Sequence, residues 1–414
     1  MGCRLNHAEG AAIRAALEAA GHSVANGGDP AGADAFVLHT CAVTAAAQTE
    51  ALRHLRAARR AGVPHVVVCG CTANVADRAA LREAGADEIV SRSGPPPGGA
   101  VAPLVADTLA RPGARVPSVG ATRAPVKIQD GCSFRCSYCI VPDARGEPRS
   151  RPLDEVLAEC RALVERGFRE LVLAGVNVAC WREPGRTFSD LVRAVSALPG
   201  LARVRLSSVE PRTTEAEVVS LMAAPDSKLC PMLHYPLQSG SDGILRAMRR
   251  RYSAADYRAA VERALAAVPD LGLGADVMTG FPGESDADFE DTVRLIRDYP
   301  FSNLHVFPYS ERPGTPAATM PGAVPVRVRR DRAKALIALG EEKRAAFAAS
   351  FAGKPVEVLV ERVRPDGVAE GWTGPYLRAL VPGRPPSDAG ALLRGRVRAV
   401  RGDALVLESA FPKP

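Results

Sequence analysis

Apolar positions along the first ninety or so residues fall into two rhythms. The stretches "EGAAIRAALEAAGH" and "AAAQTEALRHLRAARRAG" repeat at helical spacing, whereas "AFVLH" and "HVVVC" are short continuous apolar runs. Their alternation predicts βαβ units on a parallel sheet over residues 1–91. Residues 92–124 are loaded with Pro and Gly and predict a linker around a short central helix. Over residues 125–352 six strand candidates follow in order: "PVKIQ", "ELVLAG", "RVRLSS", "MLHYPL", "GADVMTG" and "NLHVFPY". All but the last lead into a helical stretch. Six β/α repeats fall short of the eight that close a barrel, so an open, partial (β/α)6 barrel is expected. The long helix "RVRRDRAKALIALGEEKRAAFAASFAG" closes that unit, and residues 353–414 turn to short β runs ("VEVLVERV", "LRALVP", "GRVRAV", "ALVLES") that fit a small β-barrel. The fold class is α/β with an all-β C-terminal module.

Composition adds limits. A chain of 414 residues with 47% hydrophobic and 24% charged residues builds real cores in two or three domains. No apolar run approaches the roughly 20 residues that span a bilayer, and the N-terminus lacks a basic-then-apolar signal pattern, so a cytoplasmic protein with no membrane partner is expected. Ten cysteines in that compartment argue against a disulfide framework. The formal charge of +7 and a pI near 9.0 suit a polyanionic partner such as RNA, though an Arg-rich composition alone produces the same figures.

The thiols carry the chemistry. In "GCSFRCSYC", Cys132, Cys136 and Cys139 form a C-x3-C-x2-C run. Structural zinc requires four ligands, and the nearest later thiol, Cys160, falls inside the helical pattern "LDEVLAECRALVERG". Three thiolates suit a [4Fe–4S] cluster with one open iron. The competing reading, chance buried or zinc-binding thiols, has the spacing, the neighbouring aromatic and the barrel context against it. A second group is Cys3 in "GCRLN", Cys41 in "LHTCAVT" and Cys71 in "CGCTAN". Cys41 and Cys71 each follow an apolar run directly, which places them at the C-terminal edge of a parallel sheet, where ligands bind. Cys69 could serve instead of Cys71, but Cys71 lies past the strand in a Gly-led turn. Cys160, Cys180 and Cys230 read as small buried hydrophobes.

The C-x3-C-x2-C loop, with Tyr138 before its last Cys, resembles that of the radical S-adenosylmethionine (SAM) enzymes, in which SAM chelates the open iron and one electron cleaves it to a 5′-deoxyadenosyl radical. That resemblance implies SAM contacts from Tyr138, from Gly175 and Asn177 in "LAGVNVACW", from Glu210 in "LSSVEP" and from Gln238 in "PLQSGSD". Together with "VPDARGEPRSR", "TGFPGE" and "VFPYSERPGTPA", these motifs resemble the radical SAM methylthiotransferases over nearly the whole chain. The resemblance implies that Cys3, Cys41 and Cys71 hold a second [4Fe–4S] cluster carrying the sulfur to be transferred, that one SAM methylates that sulfur, and that a second SAM yields the radical that removes hydrogen from the substrate.

"GCRLN" and "EGWTGPYLRALVP" most resemble the MtaB-like branch, which methylthiolates C2 of N6-threonylcarbamoyladenosine beside the tRNA anticodon. The terminal barrel then corresponds to an RNA-binding TRAM module, with Trp372, Tyr376 and Arg378 as candidate RNA contacts. From Gly353 onward ten Lys/Arg stand against seven Asp/Glu, a modest excess. His39, Asp143 and Pro375 stand where the family usually has Asn, Tyr and Asn. The alternatives are action on isopentenyladenosine or on a ribosomal-protein aspartate, or a non-catalytic Fe–S protein that binds RNA. Implied partners are tRNA, an electron donor such as flavodoxin or ferredoxin, and a sulfur donor, with a monomeric chain. Cys3 has no strand ahead of it, and a start further upstream or a lost first strand is expected.

Overall fold

The computed structural model describes residues 4–25, 27, 29–91, 103, 105–107 and 122–412. The first unit runs α1 (Arg4–Ala19), β1 (Ala35–Thr40), α2 (Ala45–Arg60), β2 (His65–Gly70), α3 (Cys71–Val75), α4 (Arg78–Glu83) and β3 (Glu88–Ile89). Its sheet is parallel in the order β1-β2-β3, with Ala35 opposite His65 and Thr40 opposite Gly70. Successive residues of β2 point to opposite faces, and both faces are covered. Val66 and Val68 pack with Leu55 and Leu81, while Val67 and Cys69 pack with Ile13, Leu17 and Val105. That two-sided burial is why "HVVVC" is continuously apolar. Of the expected linker, residues 103 and 105–107 are helical. Its last residues, 123–124, already belong to the first strand of the central unit, and residues 92–102, 104 and 108–121, with Cys3, lie outside the described residues.

The central unit contains β4 (Arg123–Lys127), β5 (Gln129–Asp130), α5 (Val141–Arg145), β6 (Arg149–Ser150), α6 (Leu153–Glu165), β7 (Glu170–Ala174), α7 (Phe188–Ser196), β8 (Arg203–Leu206), α8 (Ala216–Ala223), β9 (Met232–His234), α9 (Asp242–Ala247), α10 (Ala254–Ala267), β10 (Gly272–Thr279), α11 (Asp286–Asp298), β11 (Phe301–Pro308) and α12 (Val326–Ala349). All six expected strands form, the first starting at Arg123, two residues ahead of the expected boundary. They make two parallel arcs, β4-β7-β8 and β11-β10-β9. Val204 joins the arcs, donating to the Lys228 carbonyl (2.7 Å) and accepting from the Cys230 N–H (2.8 Å). The result is the open, partial barrel. Leu171, Leu173, Val204, Leu206, Leu233, Ala275 and Leu304 belong to the core shared with the helix layer. The alternate positions, among them Lys127, Glu170, Arg203, Arg205, His234, Asp276 and His305, face the concave side.

The C-terminal unit is a closed barrel, order β12-β13-β14-β16-β15, from β12 (Pro355–Val363), β13 (Ala369–Thr373), β14 (Arg378–Val381), β15 (Leu392–Arg401) and β16 (Ala404–Pro412). β13 is a strand that the periodicity did not predict. Its Gly371 has no room for a side chain, since a Cβ would lie 2.1 Å from the Leu359 carbonyl oxygen. This barrel forms the floor of the central one. Arg203 donates to the carbonyls of Glu357 (2.7 Å) and Trp372 (2.9 Å), and Arg205 to those of Thr373 (3.2 Å) and Gly374 (2.9 Å). No helix among the described residues is long and apolar enough to cross a membrane.

Candidate active site

The loop with three thiols leaves β5 through Gly131, whose φ of 72° and lack of space (a Cβ would meet the Glu147 carbonyl oxygen at 2.1 Å) restrict the position to glycine. Cys132 N–H bonds the Gly146 carbonyl at 3.0 Å, and Arg135, at φ 48°, turns the chain between the first two thiols. The Ser137 N–H and hydroxyl tie the loop to the carbonyls of Met248 (3.0 Å) and Ala247 (2.8 Å). The Phe134 N–H points at Cys132 Sγ (3.5 Å) and the Arg250 guanidinium at Cys136 Sγ (3.2 Å). Burial pushes the Cys139 thiol up to about 12, the Val141 N–H opposing it and the neighbouring thiols adding to it. Burial likewise raises Cys132, eased by the Phe134 N–H and reinforced by Cys136, Cys180 and Glu210. Thiols held this way ionise when a metal takes the proton's place.

At the same end of the strands lie polar groups with no internal partner. Both side-chain amide atoms of Asn177 and the side-chain oxygen (Oε1) of Gln238 are buried and unbonded. Gln238 is held at φ 65°, rare for a non-glycine residue. Gly175 lies against Gln129, where a Cβ would come within 3.0 Å of the Gln129 carbonyl oxygen, and Gln129 Oε1 accepts from the Asn177 N–H (2.9 Å). Orphaned buried amides call for a polar ligand. A three-thiol loop beside them fits a cluster with one open iron and a polar molecule bound to it.

The structure alters two sequence expectations here. Glu210 is gripped by Arg250 through two bonds of 2.5 and 2.6 Å, so its carboxylate is already paired. Arg250 also reaches the Tyr138 hydroxyl at 3.5 Å and links Glu210 to the loop. No spacing rule flagged it among 53 Lys and Arg. Cys180, expected in the core, is only half-buried, and its thiol interacts with the Glu210 and Arg251 charges, whereas Cys160 and Cys230 are buried as expected. Asp143 is exposed, 3.7 Å from Arg135.

Cys71, and Cys41 beside it, lie next to the helix that follows the first thiol loop. Cys71 opens α3 and packs with Ala42 against Ala144 of α5, the helix that begins two residues after Cys139. The Thr72 hydroxyl donates to the Cys41 carbonyl (2.8 Å), and the Asn74 amide donates to the Ala144 carbonyl (2.9 Å). Cys69 lies wholly buried within the sheet, its thiol raised by burial and by Glu9, so of the two neighbours Cys71 is the one facing the central unit. At the start of α1, Asn6 donates to the Thr40 carbonyl (2.8 Å), next to Cys41. Glu9 of α1 accepts two bonds from Arg145 of α5 (2.9 and 3.0 Å) and one from Lys127 of β4 (2.7 Å), and His39 lies 3.2 Å away.

The aromatic pair expected to meet RNA is engaged within the chain. Trp372 and Tyr376 stack at 4.7 Å, with the Arg123 guanidinium 5.6 Å from the first ring and that of Arg205 4.9 Å from the second. Trp372 Nε1 also donates to Glu361 (2.9 Å), and the Pro375 carbonyl is close to Gly272. Arg378 is exposed and pairs with Glu370 at 3.0 Å.

Comparison with known proteins accounts for both halves of this arrangement. Residues 126–296 match the radical SAM superfamily, and residues 1–91 match Uncharacterized protein family UPF0004. The chain is 35% identical to the threonylcarbamoyladenosine tRNA methylthiotransferase MtaB of Chlamydia pneumoniae, covering 88% of this chain and 86% of the relative. It is 36% identical to the tRNA-2-methylthio-N(6)-dimethylallyladenosine synthase of Novosphingobium aromaticivorans (87% and 85% covered), and 41% identical to that of Cereibacter sphaeroides (71% and 67%). Among solved structures, the radical SAM methyltransferase TsrM of Kitasatospora setae superposes with a TM-score of 0.52 at 16% identity, over 69% of this chain and 65% of that one, a likeness of fold alone. On sequence over most of its length, this chain belongs to the radical SAM tRNA methylthiotransferase family.

Proposed function

We propose that the chain transfers a methylthio group to C2 of N6-threonylcarbamoyladenosine beside the tRNA anticodon, with Cys132, Cys136 and Cys139 holding one [4Fe–4S] cluster and Cys3, Cys41 and Cys71 a second. The observation that supports this reading is the packing of Cys71 with Ala144 of α5, the short helix that directly follows the Cys132–Cys139 loop. When bound, the clusters and SAM supply a carbon-centred radical and a sulfur to be methylated and transferred. The chain's own residues hold and shield. Asn177 and Gln238 offer unpaired amide groups to SAM, Arg250 and Glu210 fix Tyr138 and the thiol loop, and Glu9 with Arg145 and Lys127 fixes the distance between the two groups. An electron donor of the flavodoxin or ferredoxin type and a sulfur donor complete the reaction, and the chain acts as a monomer.

The threonylcarbamoyl substrate is supported by "GCRLN", by "EGWTGPYLRALVP" and by the Chlamydia relative. A second reading, a dimethylallyladenosine substrate, is supported by the other two relatives at comparable identity. Anaerobically reconstituted protein, given SAM, dithionite and anticodon stem-loops carrying either base, decides between them by mass spectrometry of the released nucleosides. A methylthio product on the threonylcarbamoyl base alone is expected, and product on the dimethylallyl base alone overturns the reading.

A further inference from the structure

The two candidate bases differ in a way that the concave face of the barrel can read. A threonylcarbamoyl arm carries a carboxylate, a hydroxyl and a carbamoyl N–H, whereas a dimethylallyl arm is hydrocarbon. On the inner face of β9, β10 and β11, His234, Asp276 and His305 converge, with ligand-type atoms all within 4.8 Å of one another. His305 Nδ1 lies 3.2 Å from Asp276 Oδ1, and His305 Nε2 lies 3.0 Å from the Asn303 amide nitrogen. His234 Nε2 lies 3.0 Å from the same Asp276 oxygen but is not aligned to bond it, so this nearly buried nitrogen has no hydrogen-bond partner.

The placement suits a substrate group. The N–H groups of Leu237 and Gln238 donate to the Asp276 carbonyl (3.1 and 2.8 Å), so the cluster adjoins the orphaned amide of Gln238. Side-chain exposure rises outward from His234 (7%) through Asp276 (23%) to His305 (56%), the order of a site that opens toward an entering molecule. Leu304 packs under Gly340 of α12, which leaves the next residue, His305, on the opposite face. Gly274 keeps the strand clear, since a Cβ there would lie 2.6 Å from His234 Nδ1. Below it, the Pro375 carbonyl closes the floor at Gly272.

Resting on the substrate reading above, we infer that His305, with Asn303, Asp276 and His234, binds the carboxylate-bearing arm of the modified base and is the recognition group that separates it from an apolar N6 substituent. The incoming carboxylate displaces the Asn303 amide nitrogen from His305 Nε2 and accepts from that ring N–H and from the freed amide, both at the exposed end, and Asp276 accepts from the arm's hydroxyl or N–H. A hydrocarbon arm in the same place leaves these groups unpaired, and sites built around hydrogen bonds reject analogues lacking them by large factors. A bound divalent cation is the competing occupant. His305 Nδ1 already faces Asp276 Oδ1 at hydrogen-bond distance, as a proton between them requires.

The test uses reconstituted full-length protein and three stem-loops, bearing the threonylcarbamoyl base, its carboxamide analogue and the dimethylallyl base. His305→Phe should lower kcat/KM on the acid by about a hundredfold or more, mainly through KM, while His305→Gln, which keeps a donor, recovers much of it. On the carboxamide, wild type and His305→Phe should be nearly equal, because the carboxylate that His305 reads is gone. Iron content and thermal unfolding of His305→Phe serve as the check on folding. If wild type prefers the acid and His305→Phe leaves its kinetics unchanged, or the loss is the same on acid and carboxamide, the inference falls and the substrate reading stands. If wild type prefers the dimethylallyl base, both fall. A stoichiometric metal beyond the cluster iron that disappears in His305→Phe also overturns it, in favour of the cation.

Discussion

Replacing Glu9 with Gln removes one negative charge from the contact between the thiol-bearing units. Glu9 of α1 serves Arg145 and Lys127, and those side chains are only 7% and 15% exposed. The variant keeps the shape but leaves both cations short of a counter-charge and turns an amide N–H toward one of them. Breaking a buried pair from one side costs about 3–5 kcal/mol. Asp130 also touches Lys127 (2.8 Å) and Arg145 (3.1 Å), which places the expected loss near the lower end, about 3 kcal/mol. The sign of the pH dependence follows. Burial alone raises the Glu9 pKa, but the His39 hydrogen bond and the Arg145 and Lys127 charges outweigh it and hold the group well below the usual carboxylate range. Its contribution is therefore complete above about pH 4.5, the unfolded value, and is lost as pH falls through the lower folded value. Urea unfolding of cluster-free wild type and Glu9→Gln at pH 7 should differ by about that amount, with the gap constant from roughly pH 5 to 8 and narrowing below roughly pH 4. A difference under about 0.5 kcal/mol at pH 7, the scale of a surface ion pair, refutes the argument that this network is buried and holds the units together.

Three further outcomes follow from the same contacts. Replacing Cys132, Cys136 and Cys139 together with Ala should halve the iron of reconstituted protein from about eight to about four per chain and abolish formation of 5′-deoxyadenosine; retained SAM cleavage would overturn the assignment. Arg250→Gln withdraws a cation from beside Cys136 Sγ and should make the reduction potential of that cluster more negative in an EPR-monitored titration, since nearby charge sets such potentials; an unchanged potential would restrict Arg250 to holding Glu210. Arg205→Met leaves the wholly buried Glu170 without its 2.7 Å partner and should cost about 3–5 kcal/mol, whereas adding Glu170→Gln should restore much of it; equal stability of the single and double variants would refute the pairing.

Strands such as β2, β7 and β10 were legible because burial on both faces writes itself as apolar runs. The thiol loop was legible because its three thiols fall within eight residues. Arg250, Glu9 and Arg145 were not, because a charged residue in a helix or loop looks the same whether it meets water or a partner more than a hundred positions away, as Glu9 meets Arg145. Glu210 was found by motif, but its partner was not. "RVRLSS" shows the limit in another form: its strict alternation of Arg and apolar residues reads as a strand with one wet face, yet Arg203, Val204, Arg205 and Leu206 are all buried. The polar face is covered by the C-terminal barrel rather than by solvent. Trp372 and Tyr376, candidates for stacking on bases, stack instead on each other beside Arg123 and Arg205, contacts that their spacing in the sequence does not show.

The floor formed by the C-terminal barrel also decides how RNA binding can be tested. Deleting the chain from Gly353 onward would strip Arg203 and Arg205 of four backbone carbonyls and leave buried cations unsatisfied, so a loss of tRNA affinity would report damage to the central barrel as much as a missing contact. Point changes on the far side avoid this. Along β15, Arg394, Arg396 and Arg398 are all exposed, and their spacing of two places them on one face of the strand. Glu357 lies 3.9 Å from Arg394, so that face keeps most of its positive charge. Phosphates held by such a row release counterions, and each contact contributes roughly 0.7–0.9 to the slope of log affinity against log salt. Changing the three arginines to Ala should therefore weaken tRNA binding in filter-binding or anisotropy titrations and flatten the salt slope by roughly 2, with thermal unfolding unchanged and no selectivity lost between stem-loops. If affinity and slope both stay at the wild-type values, the phosphate backbone is held by another surface, and the C-terminal barrel serves this enzyme as the floor of its active site alone.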